Sequence, residues 1–223
     1  MNNNADIKAY ICDIRGFMNA ERYNKYAKLM PQYVVKKVNA LRPLDAKKRT
    51  LGAWSLLMEC LKGVEDTAFL HKCPERFASL RFDENEYGKP YLMNFSWIHF
   101  NLSHSGDYVM CVIANSDVGC DIQKVDRKNE KVSHRFFTES EREMIAEPGD
   151  FARIWSRKEA VMKMTGKGLS EGIETFDVSG DEVILSDQTN CYVVDFSIRN
   201  EYKCAISSRW NNFPESIWRV VLL

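Results

Sequence analysis

Between Trp97 and Gln123 the chain alternates short apolar runs with turns, whereas from Arg135 to Thr165 its apolar period lengthens to that of a helix, so the fold must combine blocks of strands with blocks of helices. Strands are predicted at Trp97 to Leu102, Tyr108 to Ala114 and Val118 to Gln123. The last two, joined by Asn115-Ser116-Asp117, read as a hairpin. Helices are predicted at Arg135 to Ala146 and at Phe151 to Thr165, the second ending in Gly166-Lys167-Gly168, which suits a C-cap turn. Earlier in the chain, residues 6–13 read as a strand and Asp45 to Lys62 as a helix with Leu51, Trp54, Leu57 and Leu61 on one face. Later, strands are expected at Asp181 to Leu185, Tyr192 to Ile198 and Tyr202 to Ser207. Strands in runs beside helices in runs predict an α+β fold rather than a regular βαβ series. With 223 residues, 45% of them hydrophobic, one large domain or two small lobes can bury a core, and no linker or repeat marks a boundary.

Charge narrows the partners. Lysine plus arginine equal aspartate plus glutamate at 31 each, so no overall field recruits nucleic acid or an anionic membrane. A local basic cluster stands in the N-terminal quarter, at Arg22, Lys25, Lys28, Lys36, Lys37, Arg42, Lys47, Lys48 and Arg49, and it reads either as a solvated helix face or as an anion site. Seven scattered cysteines without a C-x-x-C pair argue against a disulfide framework or a structural zinc, and fit a reducing cytoplasm. The opening Met1 to Asp6 has no signal-peptide pattern, and no apolar stretch reaches the length of a spanning helix.

Two carboxylates stand out. In the predicted helix, Phe151, Trp155, Glu159 and Met162 fall at helical spacing, which sets Glu159 inside an apolar stripe. A carboxylate buried there needs a cation, a metal or hydrogen-bond donors, and a salt bridge to Lys163 at i+4 would also satisfy it. In Val118-Gly119-Cys120-Asp121-Ile122-Gln123, strand alternation puts Gly119, Asp121 and Gln123 on one face. Aspartate is a poor strand former, so Asp121 beside a glycine reads either as a ligand site or as the end of a strand. Two carboxylates with few imidazoles suit a hard cation such as Mg²⁺, completed by water and phosphates. A third segment, Phe100-Asn-Leu-Ser103-His104-Ser105-Gly106, reads as a strand running out into a polar turn whose hydroxyls, imidazole and backbone N–H groups can cradle a phosphate. A Ser/His hydrolase is disfavoured, since adjacent Ser103 and His104 cannot readily pair and no G-x-S-x-G occurs.

In their order these segments resemble the Sfp-type 4′-phosphopantetheinyl transferases. The resemblance runs through Arg49-Thr50-Leu51-Gly52, Tyr87-Gly88-Lys89-Pro90, Phe100 to Ser105, Val118 to Ile122, Trp155-Ser-Arg-Lys-Glu159 with Lys163, and Gly166-Lys-Gly-Leu169. Arg135-Phe136-Phe137 and Tyr202-Lys203-Cys204-Ala205 reinforce it. It implies two similar α+β lobes, residues 1–115 and 116–223, related by pseudo-twofold symmetry, with coenzyme A between them. It further implies a soluble cytoplasmic monomer that moves phosphopantetheine from coenzyme A to a serine of an apo-acyl or peptidyl carrier protein with Mg²⁺, releasing 3′,5′-ADP.

By the same resemblance Asp121 and Glu159 match metal ligands, and Gln123 stands at a third metal position where many members carry glutamate. Glu159 and Lys163 match the catalytic pair, with Lys158 beside Lys163 at the departing diphosphate. Ser103 and His104 match nucleotide phosphate contacts, and Arg49, Lys89 and Lys36 contacts to the region of the adenosine 3′-phosphate. A coenzyme A-binding regulator of the same fold, or a Mg²⁺-dependent nucleotide hydrolase, would keep part of this set.

Overall fold

The computed structural model describes residues 6–16, 19–126 and 130–222. The opening residues 1–5, on which the expectation of no signal segment partly falls, lie outside them.

The strand β1 (Lys8–Asp13) is followed by the helices α1 (Ala20–Ala27), α2 (Gln32–Ala40) and α3 (Leu44–Lys62). Two 3-10 helices, Glu65–His71 and Pro74–Ser79, lead to the short strands β2 (Phe82–Glu84) and β3 (Pro90–Leu92), then to β4 (His99–Ser105), β5 (Tyr108–Ala114) and β6 (Val118–Lys124). Three helices follow, α4 (Glu130–Phe136), α5 (Glu139–Glu143) and α6 (Pro148–Thr165), and the chain closes with β7 (Glu182–Ile184), β8 (Asn190–Ile198), β9 (Tyr202–Ser208) and β10 (Trp218–Arg219). The α+β class expected from the sequence is the one observed.

Four layers result. One sheet has the order β10-β1-β5-β4 and another the order β6-β9-β8-β7. Outer helix α3 buries Leu51, Leu57 and Leu61 against Val109, Cys111 and Ile113 of β5. The opposite face of β5, with Met110 and Val112, meets Cys120 and Ile122 of β6 and Cys204 and Ile206 of β9. The far face of the second sheet carries α6, through Val161, Met164 and Ala205. A strand buried on both faces reads as an unbroken apolar run, which is how Tyr108 to Ala114 is composed.

The expected β5–β6 hairpin does not form. Both edges of β5 are taken, by β1 and β4, and residues 115–117 carry the chain across to the second sheet, where β6 pairs with β9. The helix expected from Arg135 to Ala146 is two helices, because Thr138 starts a new one through a capping box with Glu141. Ser103, His104 and Ser105 lie within β4, paired to β5, and the turn begins only at Gly106. Strand β10 runs parallel to β1, so the segment 116–223 also contributes a strand to the first sheet.

The edges β4 and β6 meet by a different device from a backbone ladder. Amides of Cys120, Ile122 and Lys124 donate to Asn101 Oδ1, Ser103 Oγ and Ser105 Oγ at 3.0, 3.2 and 3.0 Å. The N-x-S-x-S alternation therefore zips the two sheets together, because every second side chain of a strand points the same way. All seven cysteines are free thiols, and among the described residues no helix is long and apolar enough to cross a membrane.

Candidate active site

Asp121 is the centre of the seam between the sheets. Its carboxylate is buried, with Oδ1 accepting from Ser103 Oγ at 2.7 Å and from Lys163 Nζ at 2.5 Å. Lys163 Nζ also lies 3.2 Å from Ser103 Oγ. This meeting requires a close approach of β6 to α6. A Cβ on Gly119 would lie 2.1 Å from the Ala160 carbonyl oxygen and 2.3 Å from the Met164 amide nitrogen, so only glycine fits.

Glu159 stands one turn before Lys163 on α6, half-buried at the edge of a cleft of about 300 Å³ that Tyr87, Pro90, Asn101, Met162 and Lys163 also line. Among the described residues its carboxylate makes no hydrogen bond. Burial raises its pKa, and Asp121 adds to the rise while Lys163 opposes it. Burial would lower the pKa of Lys163, but Asp121 and Glu159 outweigh that, and the ammonium is held protonated. Two desolvated carboxylates thus share one ammonium, an excess of negative charge that a hard divalent cation fits. Among the described residues no three His, Cys, Asp or Glu side chains are grouped so that they could hold a metal ion. Gln123 follows Asp121 on the same face of β6, and its amide nitrogen lies 3.4 Å from the Lys124 carbonyl.

The other candidate residues divide. His104 follows Ser103 on β4; desolvation lowers its pKa, and the positive charges of Arg49 and Lys163 push the same way. Lys36 is exposed on α2. Lys89 borders the cleft with its stem, but its Nζ donates to the Met164 carbonyl at 2.8 Å and to the Val118 carbonyl at 3.2 Å.

Lys158 is turned away altogether. It is fully buried, donating to the carbonyls of Ile173 and Phe176 at 2.8 and 2.7 Å and ion-paired to Glu141 at 2.9 Å. Its helix neighbour Arg157 is equally buried, bound to the Val178 and Gly180 carbonyls and to Asp195 and Asp181. Position explains both: Glu159 and Lys163 are four apart and share a face, while Arg157 and Lys158 lie about 100° or more away on the helix.

Sequence reasoning missed Asn101 and Ser105 as members of the zipper and Asn85 as a partner of α6. For Asn101 and Ser105 the signal was the i, i+2 alternation of hydrogen-bonding side chains through Asn101, Ser103 and Ser105; no sequence pattern pointed from Asn85 to α6.

A family model for the 4′-phosphopantetheinyl transferase superfamily matches residues 117–216, which include Asp121, Glu159 and Lys163. The chain is similar to the 4′-phosphopantetheinyl transferase Sfp of Bacillus subtilis, 33% identical over 64% of this chain and 69% of the relative. It is 30% identical to the 4′-phosphopantetheinyl transferase gsp of Aneurinibacillus migulanus over 60% of each. The L-aminoadipate-semialdehyde dehydrogenase-phosphopantetheinyl transferase of Saccharomyces cerevisiae is 26% identical over 76% of this chain and 68% of its own length.

Proposed function

Because the chain belongs to the 4′-phosphopantetheinyl transferase superfamily, we propose that it moves the phosphopantetheine arm of coenzyme A onto a serine hydroxyl of an apo-acyl or peptidyl carrier protein, releasing 3′,5′-ADP. The observation that carries this reading is that Asp121, Glu159 and Lys163, all within the matched segment, come together beside a cleft that Glu159 and Lys163 line.

Asp121 and Glu159 are the residues that would hold Mg²⁺, with Gln123 placed to hold a water beside it. When bound, a divalent cation supplies positive charge next to the pyrophosphate. Glu159 is the residue to accept the proton of the carrier serine, directly or through water, since it stands at the edge of the cleft with its carboxylate free of hydrogen bonds among the described residues. As the serine oxygen bonds to the phosphorus bearing pantetheine, the bond from that phosphorus to the bridging oxygen breaks, leaving charge on 3′,5′-ADP. Lys163 is placed to meet that charge as a point cation. His104 and Arg49 are the residues that would supply donors to the nucleotide phosphates, a reading supported by the electrostatic effect of Arg49 on His104.

Two four-stranded sheets, each backed by a long helix, support the reading of two related lobes, 1–115 and 116–223, joined by the β4–β6 zipper and by the return of β10. Free cysteines support a reducing compartment such as the cytoplasm, and balanced charge supports partners other than nucleic acid or an anionic membrane.

Incubation with coenzyme A, Mg²⁺ and an apo-carrier, followed by intact mass, tests the proposal. A phosphopantetheine adduct is expected, abolished by EDTA and by Asp121→Ala or Glu159→Ala. Release of 3′,5′-ADP without an adduct would replace transfer by hydrolysis, and binding without turnover would make the chain a coenzyme A-binding regulator.

A further inference from the structure

The end of α6 is fixed from outside the helix. The last carbonyls of a helix have no partner within it, and here two of them are met by the turn of residues 85–90. Lys89 Nζ donates to the Met164 carbonyl, and Asn85 Nδ2 donates to the Gly166 carbonyl at 2.9 Å. The same Lys89 ammonium donates to the carbonyl of Val118, the first residue of β6. One cation therefore ties together the start of the strand that carries Asp121 and the end of the helix that carries Glu159 and Lys163.

The turn is built to hold those two side chains in place. Asn85 Oδ1 accepts from the amides of Tyr87 and Lys89 at 3.0 and 2.9 Å, and the Asn85 amide donates to the Lys89 carbonyl at 3.0 Å. Gly88 takes the left-handed conformation that closes it, at φ +85°. On the other side Gly166 is left-handed at φ +70°, and a Cβ there would fall 2.9 Å from both Asn85 Nδ2 and Lys89 Cδ. Burial pulls the Lys89 pKa to about 8 against the attraction of Asp117, which leaves the ammonium mostly protonated at neutral pH.

We propose that Asn85 and Lys89 are positioning residues, a latch that sets the spacing of β6 and α6 and so the meeting of Asp121 with Glu159 and Lys163. The ammonium of Lys89 serves these carbonyls rather than the adenosine 3′-phosphate. This rests on the transferase reading for its kinetic consequence, though not for its structural one.

Two variants separate the roles. Lys89→Met keeps the apolar stem and removes the donor. Asn85→Asp keeps the oxygen that shapes the turn, removes the donor to Gly166 and takes no cation from the cleft. Both are expected to lower kcat by about 10- to 100-fold, because small misplacements of reacting groups carry costs of that order. The KM for coenzyme A and for 3′-dephospho-coenzyme A should change by equal factors, and losses in the double variant should fall short of the product of the single ones, as for residues acting as a unit. Hydrogen exchange at the amides of residues 160–168 should quicken in both, while the rest of the fold stays protected.

Selective loss of affinity for coenzyme A over its 3′-dephospho form in Lys89→Met, with Asn85→Asp behaving as wild type, would overturn the latch in favour of a phosphate contact. So would unchanged exchange at residues 160–168. A wild-type protein that makes no carrier adduct would sink the transferase reading alone, and the exchange comparison would still decide the latch.

Discussion

Lys158 Nζ lies 2.9 Å from Glu141 Oε1 with neither side chain reaching solvent. The pair is saturated: Lys158 donates to the Ile173 and Phe176 carbonyls, and Glu141 accepts from the Val178 amide on one oxygen and the Thr138 amide on the other, both at 2.8 Å. Taking two charges out of water is offset only when such bonds are complete. Burial pulls the Lys158 pKa down, and Glu141 opposes it. The pair thus clasps α6, α5 and the segment 173–178 behind the site.

Lys158→Met leaves Glu141 buried without its counter-charge, and removal of one partner of a buried pair costs about 3–5 kcal/mol. The variant should therefore unfold at clearly lower urea while its KM for coenzyme A, in the fraction still folded, stays at the wild-type value. A raised KM with unchanged stability would return Lys158 to the cleft.

Acid stability should depend on Asp177. Burial alone would raise its pKa, but the hydroxyls of Ser140, Ser179 and Thr138 and the Ser179 amide hold it at about 2, below the usual 3.8. A depressed folded-state pKa means that the unfolded chain binds more protons in this window, so the stabilisation is present above pH 3.8 and is lost as pH falls towards about 2. Chemical unfolding across that range should show a steeper loss for wild type than for Asp177→Asn. Parallel curves would show that the hydroxyl cluster does not favour the ionised form.

Much of this layout could be read in the sequence, and the failures share a cause. Helix α6 and strand β6 carry their own periodicity, so Asp121, Glu159 and Gly119 stood out. What strand alternation could not supply is which edge pairs with which: the β5–β6 hairpin was a local guess, undone because β1 and β4 already flank β5. The helices α1 and α2, of eight and nine residues, bury only Tyr26, and Val34 with Val38, which is too short a run for a helical period to stand out. Lys158 was misplaced because a lysine next to a catalytic glutamate looks like part of the site, whereas one residue of helical rotation, about 100°, turns it off the face that Glu159 and Lys163 share. Lys89 illustrates the same limit, since its acceptors lie 75 and 29 residues away along the chain.

Ser103 offers a contrast between zipper and phosphate contact. Its hydroxyl donates to Asp121 and accepts from the Ile122 amide. Ser103→Ala leaves that amide buried without a partner, a loss of about 1–3 kcal/mol, and frees the Asp121 carboxylate to turn. Expected are a lower denaturation midpoint and a reduced kcat, with the KM for coenzyme A little altered. A variant as stable as wild type whose KM alone rises would place the hydroxyl on the nucleotide instead.

Gly119→Ala tests how closely β6 must approach α6. The added methyl would sit 2.1 Å from the Ala160 carbonyl oxygen, 2.3 Å from the Met164 amide nitrogen and 2.9 Å from the Met164 Cα. All three are backbone atoms, so no rotamer change relieves the contact and the helix itself must shift. Overpacking of this kind costs about 1–3 kcal/mol and occasionally more. The shift also lengthens the reach from Lys163 to Asp121, now 2.5 Å, so activity should fall further than stability does. To keep the two apart, transfer is measured at a temperature well below the variant's unfolding midpoint, alongside Gly149→Ala, where a Cβ meets only the Lys203 side chain at 3.5 Å and little change is expected in either property. Full transfer by a folded Gly119→Ala protein would mean that the separation of β6 and α6 is not what sets the geometry of Asp121, Glu159 and Lys163.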